Sequence, residues 1–537
     1  MKSAIGSLLP ALLHPYLLAV GCGGAIAQSK LEAASTIFPA INPAGEVSVA
    51  ELAAQPAVAQ RASRAIEMPN HLLPDGSTTL NPRTSISEQL PPIEPNVSVT
   101  PNFGSVKGFI GIHSIDNVTA NGAEFEPPDQ GLAVNNNVAA EINNLVVRFF
   151  NAASGAALSN PIAASSFFKA TAGSGLTDPQ AFFDPTTKRW FLTVIESNAP
   201  IFTGGSGSVE KIDIAVSKTS SPLGSYFIYH VRAASKDLPG CGALDCLPDY
   251  PKAGYDANGF YVSVDLFNAS SGDLVAAATY AVSKSKLEGG AGATPIRFAY
   301  PNDFVVQPSV PAPGEPFETR ANGTEYLMEA RNIVDFSHNI RVWAISNTNN
   351  IVTKPSSLRT AAIDIPAEAY ASTTVPQTEP NVIGPYCKSQ GVTSAPLLDG
   401  GYAAFQATIQ KANGKLSGAL AFRSRDSDNL LRNVLAWFVL KPSVSRNGVP
   451  SASIFKQGYV VPGTGYSVSY PAFGLDKSGA GVLGFTITNK SRNVTGGFPS
   501  AAFIQFSGTG TTAGIVVSGP GATSDDGFTG CPGPGPG

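Results

Sequence analysis

Charge is scarce in this chain: only 14% of its 537 residues are Asp, Glu, Lys or Arg, and they sum to −4. The lysines and arginines are dispersed and no aromatic residues interleave with a basic stripe, which argues against nucleic acid as a partner. Long apolar runs are lacking after the first 20 residues, so no later stretch reaches the roughly 20 apolar residues of a membrane-spanning helix. Catalytic signatures are missing too. His71, His113, His230 and His338 show no His-Glu-x-x-His spacing. There is no Gly-x-Ser-x-Gly elbow, no phosphate-cradling glycine loop, no Cys-x-x-Cys and no dinucleotide fingerprint between a strand and a helix. The ordered Asp-x-Asp-x-Asp-Gly loop is absent, so no cofactor is assigned beyond a structural calcium ion held on looser Asp/Asn loops.

What is present begins with an export signal. Lys2 precedes an apolar run from Ala4 to Val20, followed by Gly21-Cys22-Gly23-Gly24 and the small residues Ala25-Ile26-Ala27. That layout predicts a signal peptide over 1–27 and a secreted protein, periplasmic or extracellular. An alternative uses Ala19-Val20-Gly21-Cys22, similar to a bacterial lipoprotein box, and would anchor the chain through Cys22. Cleavage after Ala27 leaves four cysteines, Cys241, Cys246, Cys387 and Cys531. An even number permits full pairing: Cys241 with Cys246 across a short loop, and Cys387 with Cys531 tying down the C-terminal tail. Free buried thiols are the alternative. Six Asn-x-Ser/Thr sequons, at Asn96, Asn117, Asn268, Asn322, Asn489 and Asn493, are no more than a chain rich in these residues yields by chance.

Residues 28–102 are rich in Ala, Pro and Ser and read as a linker or disordered extension, with one short helix between Glu46 and Arg64. Residues 509–537 are a Gly/Pro-rich tail ending in Cys531-Pro-Gly-Pro-Gly-Pro-Gly537. The folded domain is therefore placed at 103–508. Within it, runs such as Arg189-Trp-Phe-Leu-Thr-Val-Ile195 and Gly259-Phe-Tyr-Val-Ser-Val-Asp265 are β-branched and aromatic and start at turns, which makes the class all-β. A repeat recurs through it: Pro179 with Asp184, Pro251 with Asp256 and Pro471 with Asp476 each set a Pro five positions before a turn-opening Asp. Weaker copies are Asp129 with Asn135, Pro316 with Asn322 and Thr393 with Asp399. Their spacing of roughly 50 to 80 residues suits four-stranded blades with long loops, and predicts a β-propeller of about six blades, with seven as the alternative. Strands near 105–115 are expected to complete the last blade, with Ala501–Phe506.

The segments Glu126-Pro-Pro-Asp-Gln-Gly-Leu-Ala-Val134, Thr177-Asp-Pro-Gln-Ala-Phe-Phe-Asp184 with Arg189-Trp190, and Asp249-Tyr-Pro-Lys-Ala-Gly-Tyr-Asp256 resemble one family. It is a group of largely uncharacterised secreted proteins, mostly bacterial, predicted to be β-propellers. The resemblance implies architecture and compartment across most of the domain but no reaction. It departs from the pattern at Gln130-Gly131 and Asn135-Asn136-Asn137, a loop difference.

Propeller ligands bind where the innermost strands begin, and here those beginnings carry carboxylates. Asp129, Asp178 and Asp249 are the candidate catalytic residues, and Glu315, Arg189 and Tyr250 the candidate ligand-binding residues; no metal ligand is assigned. Carboxylates facing one axis would raise one another's pKa and favour a bound cation or acid/base chemistry. The plainer alternative is that each Asp accepts backbone N–H bonds and stops a strand. Two functions follow. The first is a secreted propeller binding a polysaccharide or a cell-surface protein. The second is a glycoside hydrolase, or another polysaccharide-cleaving enzyme, using a carboxylate pair. Oligomeric state is left open.

Overall fold

A computed structural model describes residues 33–59, 66–67, 96–101 and 108–525, apart from 136, 234, 302, 332–335, 372–373, 375–376, 384, 390, 396, 402, 426–428 and 512–513. The proposed signal peptide and Cys531 lie outside the described residues.

The β-branched and aromatic runs form strands, and the strands fold into six consecutive four-stranded antiparallel meanders, spanning 130–163, 175–232, 247–300, 307–371, 409–460 and 466–519. The first strand of the fourth, Gln307–Pro311, pairs in parallel with the first strand of the fifth, Ile409–Ala412, so these two meanders share one eight-stranded sheet. Apolar cores lie between successive meanders. Phe149, Leu192 and Trp190 pack between the first and second. Phe191 stacks on Phe260 between the second and third, ring centroids 4.7 Å apart. Tyr261, Phe298 and Trp343 fill the third and fourth, Met328, Val342, Phe422 and Phe438 the fourth and fifth, and Trp437, Phe485 and Phe506 the fifth and sixth. Burying the facing sides of successive sheets against one another gives a propeller-like arrangement with sheets in a ring. Among the described residues no comparable core joins the sixth meander to the first. Leu132 and Val134 of the first and Val482 of the sixth are exposed on the faces turned away from their packed neighbours.

The Pro repeat is a β-bulge. In three first strands the register slips by one residue, between Thr177 and Gln180, Asp249 and Lys252, and Ser469 and Ala472. The residue before each proline, Asp178, Tyr250 or Tyr470, takes a positive φ of 56°, 53° or 53°. Such a conformation strains a non-glycine residue and persists where neighbouring structure enforces it; a bulge re-aims the side chains around it. The aspartates five residues after the prolines close the next turn. Asp184 accepts from the Thr186 amide (2.8 Å), Asp256 from the Gly259 amide (2.6 Å) and Asp476 from the Ser478 amide (2.8 Å). The weakest copy of the repeat does not hold. Asp399 caps a loop through the Gly401 amide (2.8 Å), and the corresponding turn of the fifth meander is Asn413-Gly414, both at positive φ. A two-residue Asn-Gly turn closes a hairpin without any aspartate.

The extension before the domain also differs from its linker reading. Ala34–Ile37 adds a fifth, outer strand to the third meander and Gly45–Ser48 adds one to the second. Ile66–Glu67 pairs with Phe125–Glu126 just ahead of the first meander, and Val99–Pro101 pairs in parallel with the last strand of the sixth, Ile515–Gly519. The extension is thus a belt that pairs in turn with the third meander, the second, the short strand ahead of the first, and the sixth. Its helix is short, Val49–Ala53, with Ser48 Oγ accepting from the Glu51 amide. Ile515–Gly519 also carries the domain past residue 508 into the segment read as tail. The last sheet is completed by that strand, whereas the described part of the 105–115 region expected to close it, residues 108–115, holds no strand and runs into the helix Ser114–Asn121.

Candidate functional site

Successive meanders touch through their first strands, while the belt adds to their fourth strands, so the first strands line the centre of the ring. One end of the ring collects the starts of first strands and the ends of second strands. The other collects the hairpins between them, at Asp184, Asp256 and Asp476.

At the first-strand end, three expected residues come together around a fourth group. Lys252 follows the bulge of the third meander and feels, besides its own neighbours Asp249 and Asp265, Asp178 of the second meander and Asp129 of the first. Desolvation draws the Lys252 ammonium below its ordinary pKa, and the four aspartates oppose that. Lys252 is partly exposed while Asp178, Asp249 and Asp265 are buried.

Each aspartate is also held locally. Asn144 Nδ2 donates to Asp129 Oδ2 (3.1 Å), and Thr177 Oγ1 donates to Asp178 Oδ1 (2.8 Å). Asp249 Oδ1 accepts from the Tyr250 amide (2.9 Å). Asp265, 1% exposed and directly opposite Asp249 in the ladder, accepts the Val305 amide (3.0 Å to Oδ1); burial pushes its carboxyl well above the usual range. Side-chain capping and convergence thus operate together.

Tyr250 sits beside the cluster, its ring edge-on to Phe304 at 5.7 Å in a small apolar group with Leu247, Phe267 and Ala404. Arg189 and Glu315 lie at the opposite end. Arg189 stands opposite Asp184 in the strand ladder at the hairpin of the second meander. Both Glu315 oxygens accept backbone amides of the fifth meander's turn, Asn413 (2.7 Å) and Gly414 (2.8 Å), so this carboxylate shapes a hairpin.

Lys252 and Asp265 were not singled out in the sequence. The available signal was a charge within an otherwise apolar strand: Lys252 takes the repeat position held by Gln180 and Ala472, and Asp265 is the charged residue of Gly259–Phe267. Cys241 and Cys246 form the expected disulfide, and Cys387 is disulfide-bonded as well. Among the described residues the one trio of His and carboxylate groups close enough to hold a metal is Glu196, Asp213 and His230, further out in the second meander; the central aspartates do not form such a trio.

No protein-family model matches the chain, and no curated protein is similar to it. Solved structures resemble it weakly. An exo-β-1,3-galactanase from Clostridium thermocellum is 9% identical, with 78% of this chain and 82% of that one covered at a TM-score of 0.29. An exo-β-1,3-galactanase from Phanerochaete chrysosporium, with galactose, is 10% identical over 74% and 92% at 0.28. A polysaccharide lyase described as an ulvan lyase is 10% identical over 74% and 87% at 0.30. Likeness at this level carries no activity across, so function rests on this chain's own residues.

Proposed function

We propose that this chain is an exported β-propeller whose six meanders are six blades, and that it binds a glycan at the end of the ring where the first strands begin. The observation that carries the reading is the convergence of Asp129, Asp178 and Asp249, from three successive sheets, with Asp265 on Lys252. Carboxylate acceptors around one ammonium donor suit the alternating donors and acceptors of vicinal hydroxyls. The buried aspartates are oriented by their own hydrogen bonds before any ligand arrives, which lowers the cost of binding. Export is supported by the signal-like first 27 residues and by the Cys241–Cys246 disulfide.

A second reading, glycoside cleavage, is favoured by one observation: a carboxyl that burial raises well above its usual range, Asp265, shares the site with other carboxylates. Asp265 is closed off from solvent and bonded to Val305, which suits a support better than an acid delivering protons to a polymer.

The test is a glycan-array screen with the purified full-length protein, followed by calorimetry of the best ligand with Lys252→Met, Lys252→Arg and Asp129→Asn. Variants that melt like the wild type are expected to lose at least about tenfold in affinity, about 1.4 kcal/mol. Lys252→Arg should lose least. Unchanged affinity in Lys252→Met and Asp129→Asn would remove the site. Reducing ends released from the bound glycan would favour cleavage instead.

A further inference from the structure

We propose that Glu196, Asp213 and His230 form a divalent metal site of the zinc type in the second meander, separate from the Lys252 cluster. The three residues lie on consecutive strands, Arg189–Ser197, Glu210–Ser217 and Ser225–Arg232. The register sets Val194 opposite Asp213 and Asp213 opposite His230, and Glu196 is two positions from Val194 on the same face. One ligand atom from each residue falls within 4.8 Å of the others.

Two carboxylates and an imidazole are a donor set for zinc or a similar transition ion, since calcium and magnesium prefer all-oxygen surroundings. Three protein ligands leave a coordination position open.

The independent sign of a missing partner is Asp213. Its side chain is 0% exposed; Oδ1 meets His230 Nδ1 at 2.6 Å, no N–H or hydroxyl donor reaches Oδ2, and the carboxyl group faces that of Glu196. A buried carboxylate oxygen with no donor is destabilising, and a cation within the trio would satisfy it. The surroundings are arranged as outer support. Glu196 Oε1 is fixed by the Thr171 amide and Ser174 Oγ, both at 2.8 Å. Lys211 Nζ stands 3.2 Å from Glu196 Oε2 and 2.7 Å from Thr171 Oγ1, balancing the charge of the metal-free site. Its side chain is 22% exposed and His230 is 20% exposed, so the lysine has room to swing into solvent and the ion a path inward.

The experiment is zinc titration of the purified, chelator-treated full-length protein against a chromophoric competitor, repeated with Asp213→Asn, His230→Gln and Lys211→Met. One zinc per chain is expected in the wild type, at least tenfold weaker in the first two variants and equal or tighter in Lys211→Met. Cobalt bound in place of zinc should give visible bands without a thiolate charge-transfer band, lost in His230→Gln. His230→Gln changes a partly exposed residue on an outer strand and keeps the test decisive if Asp213→Asn misfolds. Absence of stoichiometric zinc, zinc binding indifferent to His230→Gln, or calcium binding in its place would overturn the proposal. Lys252→Met leaves this trio intact, so its glycan result and the zinc result fail separately.

Discussion

Lys284 joins two hairpins. Its ammonium, 2% exposed, donates to Asp184 Oδ2 in the second meander (2.7 Å) and to the Asp256 carbonyl in the third (2.6 Å). The Tyr255 and Phe317 rings lie 5.0 Å from the same charge. Replacing one partner of a buried pair leaves the other charge unmatched, so Lys284→Met is expected to cost about 3 kcal/mol in chemical denaturation. Asp184→Asn combined with Lys284→Met should recover part of that loss; simple additivity of the two single changes would count against a shared ion pair. The turn roles of Asp184, Asp256 and Asp476 were legible in the sequence because a side chain capping an amide two or three residues on is local chemistry. The convergence of Asp129, Asp178 and Asp249 was legible only as a shared repeat position. Lys252 and Asp265 escaped because what marks them is packing between sheets. Glu315 was misplaced for the converse reason, since its amide partners are Asn413 and Gly414, about a hundred residues away.

Among elements, the strands and their meanders were readable from alternating β-branched and aromatic runs set between turns. The belt was not. Ala34–Ile37 and Gly45–Ser48 have four residues each and take their order from distant edges, Ile296–Tyr300 and Ser225–Arg232, in a stretch whose Ala/Pro/Ser composition resembles a linker. The tail was misjudged similarly, because Ile515-Val516-Val517 is a brief β-branched run among glycines and serines. Deleting residues 1–56 is expected to leave the six meanders folded but to strip the outer edges of the second and third. Unpaired edges invite self-association. The truncated protein should melt several degrees lower and scatter light at concentrations where the full chain is monodisperse. An unchanged melting temperature would mean that the belt contributes nothing to the ring.

For the whole molecule, buried acids set the response to pH. Burial pushes Glu210 up to about 8 and Asp213 up to about 7, and raises Asp265 and Glu325 well above the usual carboxyl range. A group whose pKa is higher in the folded state binds protons more tightly there, so its support is present in acid and lost as pH rises through the folded value. Glu196, which hydrogen bonds from Thr171, Asp213 and Ser174 hold at about 2 against the effect of its burial, acts oppositely, its support fading only as pH falls below the usual carboxyl range. The melting temperature is therefore expected to peak near the ordinary carboxyl range, at about pH 4 to 5, and to decline towards about pH 8, and Glu210→Gln should flatten the decline. A melting temperature that climbs steadily from pH 5 to pH 8 would refute this balance. The belt adds a matter of timing. Thr36 Oγ1 accepts from Arg297 Nη2, 261 residues further on, and Val99–Pro101 pairs with a strand near residue 515. Synthesis from the N-terminus delivers the belt before any sheet it binds exists. Ala34–Ile37 and Gly45–Ser48 can pair once the third and second meanders are made, but Val99–Pro101 must idle until the last-made sheet offers its edge.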